Sequence, residues 1–336
     1  MDKALSKRYT GPDFLKFVCA FLVVGIHTCS ILGASKAGYM LFLPITRVAV
    51  PLFFMISGFF YAGLTERQKL RQLKKLLFLT LFSLCLFLCF ELLRTAAKGE
   101  AAAAYFEKFC TGAYWLNFLL FNDPDISMHL WYLCAMFYVL LILYFAGKYM
   151  DIGRLYVLIP VLLLGNFVLG TYASAVFCWY LHIHFSRNFL FCALPFFLLG
   201  HYVRSRRPQV SNRLLIVVLL LSVLGSVAEN YVIVSRCRDF NLDLFICTPI
   251  FALSAFLLVL QNEPLFEKKL LRSAAELGRK TSTAVFIMHP MVIILLSDML
   301  PALSSAGGLV TVPLVFILCV GIALLIEKIN QTRRLK

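Results

Sequence analysis

Basic side chains inside apolar stretches are the residues of this sequence that say most about its chemistry. Lys16, His27 and Arg47 each lie within a long hydrophobic run. A charge in a membrane-spanning helix costs about 2.5–3.5 kcal/mol on insertion scales, so such a residue usually faces a cavity or a partner. An imidazole, with a reference pKa of about 6.5, can act as a general base near neutral pH. These three residues are therefore candidates for a site within a membrane.

Lys16 and His27 are predicted to share one face of a helix. Their separation of eleven residues corresponds to about three helical turns with roughly 20° left over, and to about 16 Å along the helix axis. A cation near one end of the helix is thus aligned with an imidazole deeper in it. A snorkelling lysine together with a hydrogen-bonded interior histidine would produce the same pattern.

Arg47 lies in a second apolar run with unusual features. Pro51 follows it and leaves a backbone carbonyl free, and Gly58 allows another helix to approach closely. An arginine in this place can hold an anion. It can also form a structural pair with an acidic residue near the end of another span, for which Glu91 and Glu229 are the candidates.

The remaining polar positions have less specific patterns. His289 lies near the middle of an apolar run, directly before the helix-breaking residue Pro290. His129 lies among Trp and Tyr residues of the kind that anchor span ends at a membrane interface. Arg67 and Arg71 belong to a basic loop that can bind phosphates, although such loops are more often topology signals with lipid contacts.

Composition predicts that membrane-spanning helices position these residues. Hydrophobic residues make up 61% of the 336 residues and charged residues 15%, whereas a soluble domain is about 45–50% apolar and about 25% charged. The mean hydropathy is +0.85. The expected fold class is all-α, a polytopic integral membrane protein with about ten transmembrane helices in a single domain, 1–336. The spans are predicted near 13–33, 41–63, 74–94, 128–147, 155–171, 188–203, 214–234, 242–261, 281–299 and 309–327.

The distribution of basic residues predicts how the chain crosses the membrane. With the N-terminus in the cytoplasm, most of the 32 Lys and Arg residues fall in cytoplasmic loops, as the positive-inside rule requires. We therefore expect a multi-pass protein of the cell membrane with both termini in the cytoplasm. This rule accounts for the net charge of +15 without a nucleic-acid partner. Scattered cysteines without a CxxC pair predict no metal site.

Several short motifs follow one another along the sequence. They are Lys16-x10-His27, Arg47-Val-Ala-Val-Pro-Leu-Phe-Phe-Met-Ile-Ser-Gly-Phe59, His129-Leu-Trp-Tyr-Leu133, Pro195-Phe-Phe-Leu-Leu-Gly200 and Phe286-Ile-Met-His289-Pro290. In this order the motifs resemble the membrane acyltransferase 3 family, over about residues 9–327. The sequence also looks like the membrane half of vancomycin-resistance serine racemases, which belongs to the same superfamily and is associated with serine uptake.

The resemblance implies a ten-helix membrane domain with acyltransferase activity. The group transferred is usually acetyl, from acetyl-CoA, and it is expected to pass to a hydroxyl of a cell-envelope glycan or a related acceptor. The expected partners are acyl-CoA, an extracytoplasmic glycan or small hydroxyl acceptor, and membrane lipid. Acyl-CoA is a donor substrate in this reaction, and no bound cofactor is expected.

The resemblance also implies roles for individual residues. His27 and Arg47 are expected to be catalytic. His27 would act as the general base on the acceptor hydroxyl, and Arg47 would orient the acceptor or stabilise the developing oxyanion. Lys16, Arg67 and Arg71 are expected to bind the acyl-CoA donor.

Two other functions are compatible with the same residues. The ionisable side chains would line a path for a small zwitterion such as serine, with His27 or His289 in proton coupling. Transporters often contain inverted repeats with interrupted helices, and the two halves of this sequence show no convincing repeat. A purely structural membrane anchor is the third alternative, and the number of ionisable residues within the spans argues against it.

Overall fold

The computed structural model describes residues 9–31, 38–99, 102–236, 242–300 and 308–334. This part of the chain is helical, without a β-strand. Helices suit such apolar sequences in a membrane because a helix satisfies its own backbone hydrogen bonds. The α-helices are α1 (Thr10–Ile31), α2 (Leu43–Thr46), α3 (Ala49–Tyr61), α4 (Glu66–Ala97), α5 (Ala102–Glu107), α6 (Gly112–Phe121), α7 (Trp131–Tyr149), α8 (Leu158–Leu169), α9 (Thr171–Phe177), α10 (Leu194–Arg206), α11 (Asn212–Arg236), α12 (Cys247–Gln261), α13 (Lys269–Met299) and α14 (Gly308–Arg334).

Eight helical stretches of the described residues are long and apolar enough to cross a membrane. They coincide with eight of the predicted spans and confirm an all-α, polytopic membrane protein. The stretches are Thr10–Cys29, Gly38–Tyr61, Glu66–Ala97, Met128–Tyr149, Ile152–Leu169, Asn212–Arg236, Lys269–Met299 and Val310–Ile329.

The two remaining predicted spans form shorter helices. The span predicted at 188–203 consists of a π-helical turn, Phe189–Ala193, followed by α10. The span predicted from residue 242 becomes helical only at Cys247, and α12 has 15 residues. Its start is capped by Glu229, which accepts hydrogen bonds from the backbone N–H groups of residues 246 and 247 at 2.8 and 3.0 Å. Hydropathy does not detect such a cap, because capping depends on a residue from another helix.

The span predicted at 281–299 continues through Pro290 in the structure, as expected. α13 runs from Lys269 to Met299 through this proline. A proline inside a helix removes one backbone donor, and in membrane-spanning helices neighbouring groups often compensate for that loss.

The chain divides into two compact units. Unit 1 comprises residues 1–53, 208–231 and 246–336, and unit 2 comprises residues 54–207 and 232–245. In unit 1, the apolar faces of α1, α13 and α14 pack together. Phe17 and Phe21 of α1 both meet the ring of Phe316 of α14 edge-on, with centroids 5.4 and 5.3 Å apart. Their shared core consists of Ala20, Val24, Val285, Ile293, Val315, Phe316, Cys319 and Ala323.

In unit 2, α3 and α10 cross with their backbones in contact. A Cβ atom on Gly58 would overlap the carbonyl group of Phe197, and a Cβ atom on Gly200 would overlap the backbone of Met55. Small residues permit such close helix packing in membranes. The predicted close approach of a helix at Gly58 is therefore confirmed.

An ion pair connects residues 232–245 to the rest of unit 2. The guanidinium of Arg187 donates two hydrogen bonds to Asp243 Oδ1, from Nε at 3.0 Å and Nη2 at 2.7 Å. Its carbon Cζ lies 5.9 Å from the ring centroid of Trp131. The hydroxyl of Thr171 accepts hydrogen bonds from the backbone N–H groups of residues 243 and 244, both at 3.2 Å.

Candidate active site

α1 carries Lys16 and His27 and is continuous between them. The two side chains therefore share a face, about 16 Å apart along the axis. The N-terminus of α1 is capped within unit 1. Glu263 accepts hydrogen bonds from the backbone N–H groups of Thr10 and Gly11, and Glu267 accepts one from the Thr10 hydroxyl. A carboxylate at the positive end of a helix satisfies its free N–H groups and stabilises it.

Lys16 lies beside an acidic side chain of its own helix. Its Nζ atom is 2.9 Å from Oδ1 of Asp13, a residue that is only 5% exposed. Asp13, Glu263 and Glu267 give the start of α1 an acidic surrounding. The donor-binding role of Lys16 stays a prediction.

α1 packs along α13 with the two chains running in the same direction. At one end, a Cβ atom on Gly278 would overlap the backbone of Asp13 and Phe17. About three turns further along both helices, the rings of His27 and His289 are in contact, with centroids 4.9 Å apart and planes inclined by 52°. Phe17 and His27 are ten positions apart in α1, and Gly278 and His289 are eleven positions apart in α13. The two helices are therefore parallel and nearly in register.

His289 is fully buried, whereas His27 is half-buried. The Nδ1 atom of His289 lies 3.1 Å from the carbonyl oxygen of Val285, one turn earlier in α13. A carbonyl oxygen only accepts hydrogen bonds, so this contact assigns the proton to Nδ1. In the neutral ring the lone pair then lies on Nε2, which is also buried.

Arg47 lies where its span is interrupted. A π-helical turn, Gly38–Phe42, leads into α2, and Arg47 and the next residue form a turn before α3 begins at Ala49. Pro51 lies in the first turn of α3, where a missing backbone N–H is tolerated. The hydroxyl of Thr46 donates to the carbonyl of residue 43 at 2.6 Å. The predicted span 41–63 is thus interrupted by a turn at the arginine itself.

The segment before Arg47 packs against α1. A Cβ atom on Gly25 would lie 2.7 Å from the ring of Phe42, and α2 contacts α1. The side-chain amide of Asn230 donates hydrogen bonds to the carbonyl oxygens of Tyr39 and Met40, at 3.2 and 3.1 Å. The segment that carries Arg47 is therefore held beside the turn of α1 that carries His27.

Unit 1 has buried polar atoms that make no hydrogen bond within the described ranges. Among them are the hydroxyl oxygen of Thr28, the residue after His27, and the amide oxygen of Asn230. A buried acceptor or donor without a partner costs about 1–3 kcal/mol. Both atoms have hydrogen-bonding capacity that a polar ligand can use.

Arg67 and Arg71 belong to unit 2. Both side chains are exposed in the first two turns of α4, a helix that begins with a capping box between Thr65 and Gln68. Nearby, Lys69 pairs with Glu66 at 2.7 Å and lies 5.2 Å from the ring centroid of Tyr61. The donor-binding role of Arg67 and Arg71 stays a prediction.

His129 also belongs to unit 2, where it is buried in an aromatic contact. Its ring lies 4.8 Å from that of Phe87, and its Nδ1 atom lies 2.9 Å from the hydroxyl of Ser127. These contacts hold the start of α7 against α4.

Unit 1 thus brings together His27, His289 and the segment of Arg47. Sequence reasoning found His27 and Arg47 but assigned no step to His289. One signal was available: both histidines lie in the interior of spans predicted to cross the membrane in the same direction. That signal does not say which spans are neighbours.

An imidazole pair lies among the apolar helices of unit 1, and the segment that carries Arg47 packs against one of them. This arrangement suits polar chemistry within the helices of a polytopic membrane protein. A family model described as an acyltransferase domain (acyltransferase 3) matches residues 9–328, nearly the whole chain. The chain belongs to this family.

Similar curated sequences are described as amino-acid racemases of Enterococcus faecalis. One match is 25% identical over 333 residues, which make up 90% of this chain and 44% of the relative. Another is 45% identical over 56 residues, 16% of this chain and 8% of the relative. The chain spans less than half the length of these relatives. No solved structure matches it.

Proposed function

We propose that this protein is an acyltransferase that moves an acyl group, in the first instance acetyl, from acyl-CoA to a hydroxyl of a cell-envelope glycan or a related acceptor. The protein lies in the cell membrane with both termini in the cytoplasm. Acyl-CoA approaches from the cytoplasm, and the acceptor approaches from the other side.

The contact of His27 with His289 is the observation that best supports this proposal. It gives a chain of the acyltransferase family a half-buried imidazole that is in contact with a second, fully buried ring. Acyl transfer to a hydroxyl needs a base of this kind, because the hydroxyl must lose its proton as it attacks.

In the proposed reaction, a ring nitrogen of His27 takes the proton of the acceptor hydroxyl as its oxygen attacks the thioester carbonyl. A C–O bond forms, the C–S bond breaks, and the CoA thiolate takes up the proton that His27 received. Negative charge develops on the carbonyl oxygen during the attack. Arg47 stabilises this charge or orients the acceptor, since guanidinium groups bind oxyanions well.

Acetyl transfer by the purified protein tests the proposal. The protein is placed in proteoliposomes with acetyl-CoA labelled in the acetyl group and a chito-oligosaccharide as the probe acceptor. We expect CoA release that depends on the acceptor, together with labelled ester on the sugar. Hydrolysis of acetyl-CoA without any transfer to hydroxyl probes would contradict the proposal.

Replacing Arg47 is expected to affect catalysis more than binding. Arg47→Gln should lower kcat by about 10²- to 10³-fold, because a group that stabilises a developing oxyanion acts mainly in the transition state. Arg47→Lys should retain part of the activity, since lysine keeps the charge but loses the planar, two-pronged geometry. Steady-state kinetics measure kcat and KM for both variants. A higher KM with an unchanged kcat would assign Arg47 to substrate binding alone.

Replacing Arg67 and Arg71 is expected to weaken donor binding. The double variant Arg67→Gln, Arg71→Gln should raise the KM for acetyl-CoA roughly severalfold, because exposed ion pairs contribute only about 0.2–1 kcal/mol each. The matched control is Lys74→Gln, Lys75→Gln, which removes two exposed cations one turn further along α4. Equal KM values for the two double variants would show that only general charge matters.

Uptake of a small amino acid is a second candidate function. The interruption of the second span at Arg47 is a feature that transporters use to bind substrates. The match to an amino-acid racemase over 90% of this chain also favours it. Uptake of labelled serine into proteoliposomes, measured beside CoA release with the chito-oligosaccharide, distinguishes the two functions.

A further inference from the structure

His289 is a buried polar group for which the proposed reaction has no use. It lies in the contact between α1 and α13, one turn from Val285 and one turn from Ile293, both of which belong to the apolar core of unit 1. A polar ring in such a place costs free energy relative to an aliphatic side chain. Its contact with the half-buried imidazole of His27 provides a reason for its presence.

The hydrogen bond to Val285 determines what the His289 ring can offer. With its proton at Nδ1, the ring cannot rotate freely, and its buried Nε2 atom carries the lone pair. A neutral imidazole with a fixed lone pair is a dipole of defined direction. At a centroid separation of 4.9 Å, this dipole acts on His27 over contact distance in a surrounding of low dielectric constant, where electrostatic effects are strong.

We propose that His289 is a positioning residue for His27, acting through ring contact and through its neutral, Nδ1-protonated imidazole. The inference rests on the proposed function, in which His27 is the base. His289 holds the His27 ring in the orientation that meets the acceptor hydroxyl, and its lone pair favours the imidazolium that forms there. No proton passes to His289, because in the proposed reaction His27 gives its proton to the CoA thiolate.

Two substitutions separate the parts of this role. His289→Ala removes the ring, and His289→Phe keeps a ring but removes both nitrogens. We expect kcat to be roughly 10- to 100-fold lower in both variants, because small misplacements of a catalytic group have effects of this size. The KM for acetyl-CoA should stay within about twofold of that of the unaltered protein. A kcat for His289→Phe equal to that of the unaltered protein would overturn the proposal.

The matched control is Thr281→Val. Thr281 is buried two turns before His289 in α13. Its hydroxyl donates a hydrogen bond to the carbonyl of residue 277, one turn earlier, at 2.7 Å. The Nδ1 atom of His289 makes the same kind of bond to Val285. Replacing Thr281 by Val removes this hydroxyl, and so tests the effect of losing a buried side-chain hydrogen bond on the same helix. We expect its kcat to be unchanged. A loss as large as that of His289→Phe would contradict a specific role for His289.

A spectroscopic measurement tests the pair without relying on activity. In protein labelled with ¹⁵N-histidine, the signals of His289 are assigned by their loss in His289→Phe. We expect Nδ1 of His289 to be protonated, and the tautomer of His27 to change from one form to a mixture in His289→Phe. An unchanged His27 tautomer would overturn the inference. If His27→Ala retains acyl transfer, the proposed function fails, and this measurement still decides whether the two rings interact.

Discussion

His27→Ala is expected to lower kcat for acyl transfer by about 10²- to 10⁴-fold, the range for loss of a general base. The physical reason is that the acceptor hydroxyl, a weak nucleophile, would lose the base that takes its proton as it attacks. His27→Gln should be equally impaired, because an amide can form hydrogen bonds but cannot accept the proton. Rates of acetyl transfer in purified protein, with folding checked by size exclusion, measure the effect.

Cys29→Ala is the matched control for His27→Ala. Cys29 lies two residues further along α1 and is half-buried like His27. A general disturbance of this turn of α1 would affect both variants, whereas loss of the base affects only one. If the two variants lose the same activity, or if His27→Gln stays active, His27 is not the base.

Alanine at Gly58 or Gly200 is expected to destabilise the protein strongly. Each substitution places a methyl group where the other helix has its backbone, and neither carbonyl group can move without separating α3 from α10. Overpacking of a core costs typically about 1–3 kcal/mol, and contact with backbone atoms should lie at the upper end. The midpoint of thermal unfolding in detergent, followed by tryptophan fluorescence, is expected to fall by several degrees for each variant.

Gly321→Ala provides the control for these two glycine variants. Gly321 lies in the interior of α14, and a Cβ atom there meets no heavy atom within 4 Å. Alanine has a higher helix propensity than glycine by about 1 kcal/mol, so this variant should be as stable as the unaltered protein or slightly more stable. Equal unfolding midpoints for the Gly58, Gly200 and Gly321 variants would contradict the backbone contact.

The sequence predicted most of the helices because lipid imposes a simple requirement. A chain that crosses a membrane must bury its backbone hydrogen bonds within apolar helices, so length and hydropathy identify the spans. The prediction was less accurate at α12, whose start depends on Glu229 of another helix. It was accurate at Pro290, where the predicted span 281–299 and α13 both continue through the proline.

The candidate site was predicted only in part. The alignment of Lys16 with His27 follows from the period of one helix, and α1 is continuous between them. The importance of Arg47 followed from its charge in an apolar run, and the structure adds that the helix is interrupted there. The role of Arg67 and Arg71 stays a prediction, since both side chains are simply exposed on α4.

The sequence by itself determined that this chain is a bundle of apolar helices with a few ionisable groups inside. Local helix geometry and the solvent properties of lipid are sufficient for that conclusion. Only the tertiary structure decided that His27 faces His289. That contact depends on the parallel packing of α1 and α13, which Gly278 permits by letting their backbones touch. Contacts between distant helices arise from side-chain shape, which hydropathy and spacing do not encode.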